Sequence, residues 1–425
     1  METWGSFAYY FNVFASKSAM NPEHLGQAPE IIVFLLIGGG LSVLGSKLLA
    51  HTIDLHYTEP RQRGPEEELL SIQEREMRPR PQEQRSNSLT LPALLNLSAP
   101  KTLTGDVLCF VFLGYVLIAI MRFTMYWILQ VHDTFKTGWG IESVWVLLML
   151  YLVGVLLAAF VPLRDLVWLQ LLCVLGNVTQ MLQSEEPLEE EAKMIWVLLP
   201  TFVQLLTNLL MIPTVMAGLN VSSALQNRVQ LAAVGGAGAL YVLIGLYMWI
   251  TDHTVFSFAK QVITVVSVPC LYANIQIRLC VLSEIVVAWR YGQNLQVANY
   301  DYPIRVKAVQ ILLPFVIYGL FKSVSLITST DLIIITKVPH GYMISGSLVL
   351  IIIAYCYQCT VQLKNRRNVH QVWMYVLYAG GFVSLAAAMA CYWLYKPTEA
   401  ADSLLVDGML FAFVLAWEVI GKFFN

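Results

Sequence analysis

Long apolar runs separated by short polar stretches make up most of this chain. A helix needs roughly 20 residues to cross hydrocarbon about 30 Å thick, because a backbone surrounded by lipid must satisfy its own hydrogen bonds. The pattern therefore predicts an all-α polytopic integral membrane protein, a bundle of about 11 transmembrane helices within the bounds of about 10 to 12. The predicted spans are residues 31–50, 107–129, 143–161, 166–182, 194–219, 229–250, 255–277, 304–335, 342–363, 372–394 and 404–422.

The distribution of Lys and Arg among the loops predicts the orientation of the bundle, because cytoplasmic loops carry an excess of both residues. Alternate loops hold 17 of the 26 Lys and Arg residues, whereas the loops on the other side hold six. The N-terminus is therefore expected to be extracellular or lumenal and the C-terminus cytoplasmic. This alternation requires an odd number of spans.

Two segments outside the main bundle, which covers residues 107–425, have distinct compositions. Residues 1–30 lack the basic start of a cleavable signal peptide and crowd aromatic residues together. They are interpreted either as an amphipathic segment at the level of the lipid headgroups or as a tail packed on the bundle.

Residues 57–101 hold 14 of the 54 charged residues and are rich in Pro, Gln and Ser. This composition predicts a disordered cytoplasmic loop, through which a protein partner would bind. Arg85 precedes Ser88 at basophilic-kinase spacing, so Ser88 is a predicted modification site.

The overall composition excludes several classes of protein. Hydrophobic residues make up 57% of the chain and charged residues 13%, too few to cover the surface of a soluble domain. A net charge of -2 without a basic face argues against nucleic-acid binding. The short loops contain no recognisable catalytic motif, so an enzyme is disfavoured and no cofactor is predicted. An ATP-driven pump is excluded because no segment is large enough for a nucleotide-binding domain.

Charged residues inside the spans are hypotheses for function, because an ion in hydrocarbon must be paired or face water. Arg122, Lys260 and Lys322 all fall in the outer half of the membrane, where they are predicted to line a cavity that attracts an anionic solute or a lipid headgroup. The alternative is that each cation reaches the interface or pairs with an acid such as Asp407. Asp407 and Glu418 are eleven residues apart and share one face of the last span.

The densest polar cluster in an apolar region follows Pro269, which frees a backbone carbonyl and is predicted to act as a hinge. Asn274, Gln276, Arg278 and Glu284 lie within this segment. Transporters build binding sites at broken polar helices, so residues 269–284 are the main predicted substrate site. The alternative is a structural proline kink satisfied by neighbouring amides.

Histidine and cysteine residues were considered as metal ligands, and no metal site is predicted. His51 and Asp54 share a helix face that excludes His56. Cys356 and Cys359 lack a second ligand pair, so they are interpreted as either palmitoylated or packing thiols. Glycine clusters at 38–40, 235–238 and 380–381 predict faces where helices pack closely.

Function is predicted only as a class, because no motif is specific enough to indicate a family. The first hypothesis is a transporter or channel-like protein for a small, anionic solute or a lipid. The alternative is a membrane-embedded scaffold, chaperone or receptor, and a lipid-modifying enzyme is a third hypothesis. Membrane lipids are expected partners in each case. The protein is expected in the plasma membrane or an endomembrane.

Overall fold

The computed structural model describes residues 2–15, 30–57, 91–98, 163–181, 206–219, 223–251, 277–282, 304–329 and 339–395, with single positions between 114 and 161 and between 404 and 416. All regular elements within these ranges are helices, as the predicted all-α class requires. The main elements are α1 (Glu2–Phe14), α2 (Glu30–Tyr57), α3 (Leu91–Ser98), α4 (Val167–Met181), a 3₁₀ turn (Asn208–Met211), α5 (Ile212–Leu219), α6 (Ser223–Thr251), α7 (Ile304–Thr328), α8 (Pro339–Leu363) and α9 (Gln371–Tyr395).

Five of the described helices, namely α2, α6, α7, α8 and α9, are long and apolar enough to cross a membrane. Each coincides with a predicted span, which confirms the assignment to polytopic membrane proteins. Three boundaries differ by six residues or more, and one of them is the start of α6, at Ser223 rather than at residue 229. α2 continues to Tyr57 rather than ending at residue 50, and α7 ends at Thr328, where Ser329 adopts a positive φ of 53°.

The core of the described bundle is centred on α8. Residues 349–354 of α8 are all buried, although successive residues of a helix point in different directions. Neighbouring helices therefore enclose this part of α8, and α2, α3 and α9 pack against it. By contrast, α7 and α9 expose large apolar side chains such as Leu326 and Val383. In a membrane protein such surfaces face lipid rather than water.

α2 and α8 end side by side. The Lys364 ammonium, just beyond α8, donates to the Leu55 carbonyl at 2.6 Å, and the His56 ring lies 3.1 Å from the Thr360 hydroxyl. The two helices therefore run in the same direction, as the alternation of spans predicts. After α8, Asn365 adopts a φ of 45° and the Arg366 N–H donates to the Val361 carbonyl. This left-handed cap ends the helix and allows α9 to return beside α8.

α1 is enclosed by the bundle. Its last residues, from Ala8 to Phe14, and Ala15 after it are all buried, and the helix packs against α4, α5 and α6. An amphipathic helix at the headgroup level would expose one face, whereas this part of α1 has none exposed. Of the two interpretations of the N-terminal segment, the structure shows packing on the bundle.

α3 corrects the predicted extent of the loop at 57–101. Residues 91–98 are helical, with Leu91, Leu94 and Leu95 buried in the packing against α8. The sequence LPALLNLS is apolar, unlike the charged stretch before it, so it can bury enough surface to offset the entropy of ordering. Ser88 and the rest of this loop lie outside the described residues.

The glycine clusters differ in how closely they are packed. A Cβ atom at Gly381 would lie 2.7 Å from Ile351 Cγ1 and 3.0 Å from the Ser347 carbonyl oxygen, so α8 and α9 touch there. A Cβ atom at Gly39 would lie 3.2 Å from Val234 Cγ1, which marks a contact between α2 and α6. Gly235 and Gly238 have no atom within 4 Å of such a Cβ, so the prediction of close packing does not hold at these two residues.

We expect Gly381→Ala to destabilise the protein by roughly 1–3 kcal/mol, because the added methyl group meets a backbone oxygen that cannot move without shifting α8. Gly235→Ala is the matched control and should be neutral or stabilising, since its methyl group enters open space and alanine favours the helix. Unfolding of the two variants in detergent measures the difference. Equal stability of both variants would contradict the packing described.

Candidate functional site

One 3₁₀ turn interrupts the α-helical winding at the end of the fifth predicted span, while the backbone stays helical on both sides of it. Residues Asn208–Met211 form a buried 3₁₀ turn, after which α5 begins at Ile212. Pro213 explains the interruption, because proline has no N–H to donate to the Leu209 carbonyl and its ring crowds that carbonyl. Tighter 3₁₀ winding is a common result at such a position.

The interrupted helix meets the C-terminal end of α1. The Asn208 side-chain amide donates to the Val13 carbonyl at 3.4 Å, and both residues are buried. Carbonyls in the last turn of a helix have no donor within that helix, so they are available to other groups. We call the region around Asn208 and the Val13 carbonyl the α1 site.

Buried amides hold α1 in place beside α4. The Asn12 side chain donates to the Gln170 carbonyl and to its Oε1 atom, both at 2.8 Å, and the Asn177 amide donates to Asn12 Oδ1 at 2.9 Å. The Tyr9 hydroxyl donates to the Leu163 carbonyl, also at 2.8 Å. These bonds use both hydrogens and the oxygen of the Asn12 amide, which leaves none of them for a solute. Asn12 therefore serves to position α1 next to Asn208.

Arg122 and Asp407 were both predicted as site residues, and the structure brings them together. They form an ion pair at 2.5 Å with the Arg122 side chain fully buried. Their helices are in close contact, since a Cβ atom at Gly114 would lie 2.7 Å from Phe411 Cε2. Arg122 therefore does not line an outward-facing cavity as a free cation. The predicted alternative of pairing with Asp407 describes its position.

Of the other predicted cations, the structure describes Lys322 and Arg278. Lys322 lies on an exposed face of α7, so it does not share a buried cavity with Arg122. Arg278 is buried in the helical segment 277–282, whose Cys280 lies near Tyr9 of α1. The remaining predicted residues lie outside the described part of the chain: Lys260, Pro269, Asn274, Gln276, Glu284 and Glu418.

The histidines at the end of α2 enter two different groups. The rings of His51 and His370 are in contact, with centroids 4.8 Å apart. The backbone N–H of His370 donates to the Tyr357 hydroxyl. His56 instead lies beside Ser98 and Thr360. Within the described residues, no group of three His, Cys, Asp or Glu side chains is arranged to hold a metal ion.

Cys356 and Cys359 are both buried inside the bundle. A buried thiol cannot reach an acyl donor, so the prediction that these residues are palmitoylated loses its basis. Their position corresponds to the alternative interpretation as packing thiols.

The α1 site was missed by the sequence interpretation, although a signal was present. Pro213 follows the polar Asn208 within an apolar span, which is the same pattern that singled out Pro269. The predicted site rests on the segment after Pro269, which contains more polar residues. The sequence around Asn12 and around Asn177 does not indicate that the two residues interact. Their side chains form a hydrogen-bond network only because α1 lies beside α4 in the fold.

We expect Arg122→Met or Asp407→Leu alone to destabilise the protein by about 3–5 kcal/mol, because each leaves an uncompensated buried charge. The double variant should recover most of this loss. The exposed pair of Arg164 and Asp165, with atoms 3.6 Å apart, is the matched control, and its coupling should stay below about 1 kcal/mol. A double-mutant cycle of unfolding in detergent measures both couplings, and a weaker coupling for the buried pair would refute its structural role.

The His370 pair predicts a stability that depends on pH. Burial, the neighbouring His51 ring and then Lys47 lower the pKa of His370 below its ordinary value. The unfolded chain, with a histidine pKa near 6.5, binds the proton more readily, so stability falls as the pH drops through about 6.5. We expect His370→Gln to lose less thermal stability than the unmodified chain between about pH 7.5 and pH 5.5. Identical losses would show that His370 does not contribute.

Comparison with known proteins identifies a fold. No protein-family model matches the chain, and no curated protein matches its sequence. A crystal structure of the Eremococcus coleocola manganese transporter, in complex with an aromatic bis-isothiourea substituted compound, matches with a TM-score of 0.52 and 10% identity over 99% of this chain and 94% of that chain. Two single-residue mutants of that transporter match with TM-scores of 0.51 and 0.50, each at 10% identity and covering 98% of this chain. The chain therefore shares the fold of these structures, as expected of an all-α polytopic membrane protein.

Proposed function

We propose that this protein is a transporter of a small solute and that the α1 site is where the solute binds. The observation that carries the proposal is the interrupted helix at Asn208–Met211, which lies against the C-terminal end of α1. The likeness to the manganese transporter over nearly the whole chain supports the same class of activity.

Interrupted helices suit solute binding for a physical reason. A continuous helix uses its backbone groups internally, whereas a break or a helix end leaves carbonyls and N–H groups for a ligand. α1, with 13 residues, is too short to cross the hydrocarbon, so its last turn ends inside the protein, beside Asn208. At the 3₁₀ turn the Ile212 N–H donates to the Leu209 carbonyl, so the polar group that the turn offers to a solute is the Asn208 side chain.

The chemistry around the α1 site bears on the choice of solute. The expectation of an anionic solute or a lipid was based on Arg122, Lys260 and Lys322. Arg122 is paired with Asp407, Lys322 is exposed, and Lys260 lies outside the described residues, so this support is reduced. The similar structure is of a manganese transporter, but manganese as the solute has no support from a cluster of His, Cys, Asp or Glu within the described residues.

The proposal predicts that Asn208→Ala reduces solute uptake about tenfold, equivalent to about 1.4 kcal/mol, with little loss of thermal stability. Stability should be retained because the variant removes one long hydrogen bond of 3.4 Å. Uptake is measured in proteoliposomes with D-glucose, glycerol, urea, Mn²⁺ and phosphate as separate probes. The matched control is Gln362→Ala, which removes an amide from the exposed surface of α8.

Two outcomes would contradict the proposal. If no probe accumulates above the level in protein-free liposomes, the chain does not transport these classes of solute. If a probe accumulates but the Asn208 and Gln362 variants behave alike, the protein transports without using the α1 site.

A further inference from the structure

Two glutamines of α6 are buried without hydrogen bonds. Gln226 and Gln230 are one helical turn apart and fully enclosed, and within the described protein neither their amide nitrogens nor their amide oxygens form a hydrogen bond. Leaving a buried amide unsatisfied costs about 1–3 kcal/mol. A pair of such side chains on one helix face therefore lowers the stability of the protein, and we expect it to be kept for a function.

Hydroxyl groups surround the same region. The Tyr10 hydroxyl of α1 lies against the Gln226 amide without reaching hydrogen-bond geometry. Ser42 and Ser46 on α2 are also buried, with hydroxyl groups that form no hydrogen bond within the described protein.

The packing of α2 on α6 aligns the two sets of polar side chains. Gly39 touches Val234, and the predicted topology makes the helices antiparallel. In that register Ser42 and Ser46 lie level with Gln230 and Gln226.

This region is continuous with the α1 site. Tyr10 precedes Val13 by one turn of α1, and the Val13 carbonyl accepts the hydrogen bond from Asn208. In the predicted topology Arg228 is cytoplasmic, so Gln226 and Gln230 lie on the cytoplasmic side of α6. A Cβ atom at Gly45 would lie 2.8 Å from Leu209 Cδ1, so the α1 site lies at the depth of Ser46 and continues sideways into these residues as a track of amide and hydroxyl groups.

The groups of this track determine which solute it suits. Each glutamine amide offers two donors and one acceptor, and each hydroxyl offers a donor and an acceptor. None of the five side chains carries a charge. A neutral molecule with hydroxyl or amide groups can satisfy both itself and the glutamines, whereas an ion without its water would have only a few dipoles here to offset the cost of burying its charge.

On the basis of the proposed transport function, we infer that Gln226 and Gln230 bind the transported solute and that this solute is uncharged and rich in hydrogen-bonding groups, as are polyols, sugars and small amides. The buried amides then receive from the solute the hydrogen bonds that the protein does not supply. The cost of leaving them unpaired in the absence of solute is offset on binding.

The test compares Gln226→Met and Gln230→Met with Gln170→Met. Methionine keeps the length of glutamine but removes the amide. We expect the α6 variants to unfold at the same temperature as the unmodified protein or higher, because they remove unsatisfied polar groups. Gln170→Met should unfold several degrees lower, since Gln170 Oε1 accepts a hydrogen bond from Asn12. Lower thermal stability of both α6 variants would overturn the inference, because it would show that their amides are bonded within the protein.

Measurements of solute uptake distinguish a failure of this inference from a failure of the proposed transport function. In proteoliposomes, the unmodified protein should accumulate D-glucose, glycerol or urea, and Gln230→Met should lower that uptake about tenfold. Uptake of only Mn²⁺ or phosphate, reduced by Asn208→Ala, would retain the transporter but overturn the uncharged solute. Uptake of an uncharged probe that Gln230→Met leaves intact would overturn the role of the glutamines. Absence of uptake for every probe would overturn the proposed function and this inference together.

Discussion

Lipid supplies no hydrogen bonds, and this constraint determines how α1 is held. A short helix with buried polar residues is stable inside a membrane protein only if other helices provide partners. Asn12 finds them in Gln170 and Asn177, and Tyr9 finds one in the Leu163 carbonyl. These bonds fix α1 against α4. They also determine which group its C-terminal end presents to Asn208.

The same constraint explains why the buried charges of Arg122 and Asp407 are paired. Arg122 and Asp407 neutralise each other where their helices touch, so the pair contributes packing and specificity of contact rather than a free cation. The polar groups around α1 are amides, hydroxyls and a backbone carbonyl instead. The interior therefore holds a structural pair of ions and, around Gln226 and Gln230, uncharged groups whose bonding capacity is not fully used.

The spans were predictable because length and apolar composition are local properties of a sequence. α2, α6, α7, α8 and α9 all appear where apolar runs indicated them. Boundaries were less predictable, since α2 continues through polar residues such as His56, whose partners Ser98 and Thr360 lie in α3 and α8. α1 could not be placed, because aromatic residues suit both a membrane surface and a packed interior.

The sequence indicated the type of site, a proline near polar residues within an apolar span, but not its position in the chain. This pattern is densest after Pro269, whereas Asn208 is the only amide or charged side chain close to Pro213. Arg122 and Asp407 were both candidates, but their pairing depends on contacts between residues far apart in sequence. The significance of Gln226 and Gln230 depends on which neighbours fail to bond them, and only three-dimensional packing shows this.

The joined ends of α2 and α8 have a mechanical consequence. Lys364 reaches across to the Leu55 carbonyl, while Ser98, Thr360 and His56 share one group of hydrogen bonds. Pulling the two helices apart would break all of these contacts at once and expose a backbone carbonyl. Any rearrangement that separated α2 from α8 would have to break these bonds, so we expect the ends of α2, α3 and α8 to move together.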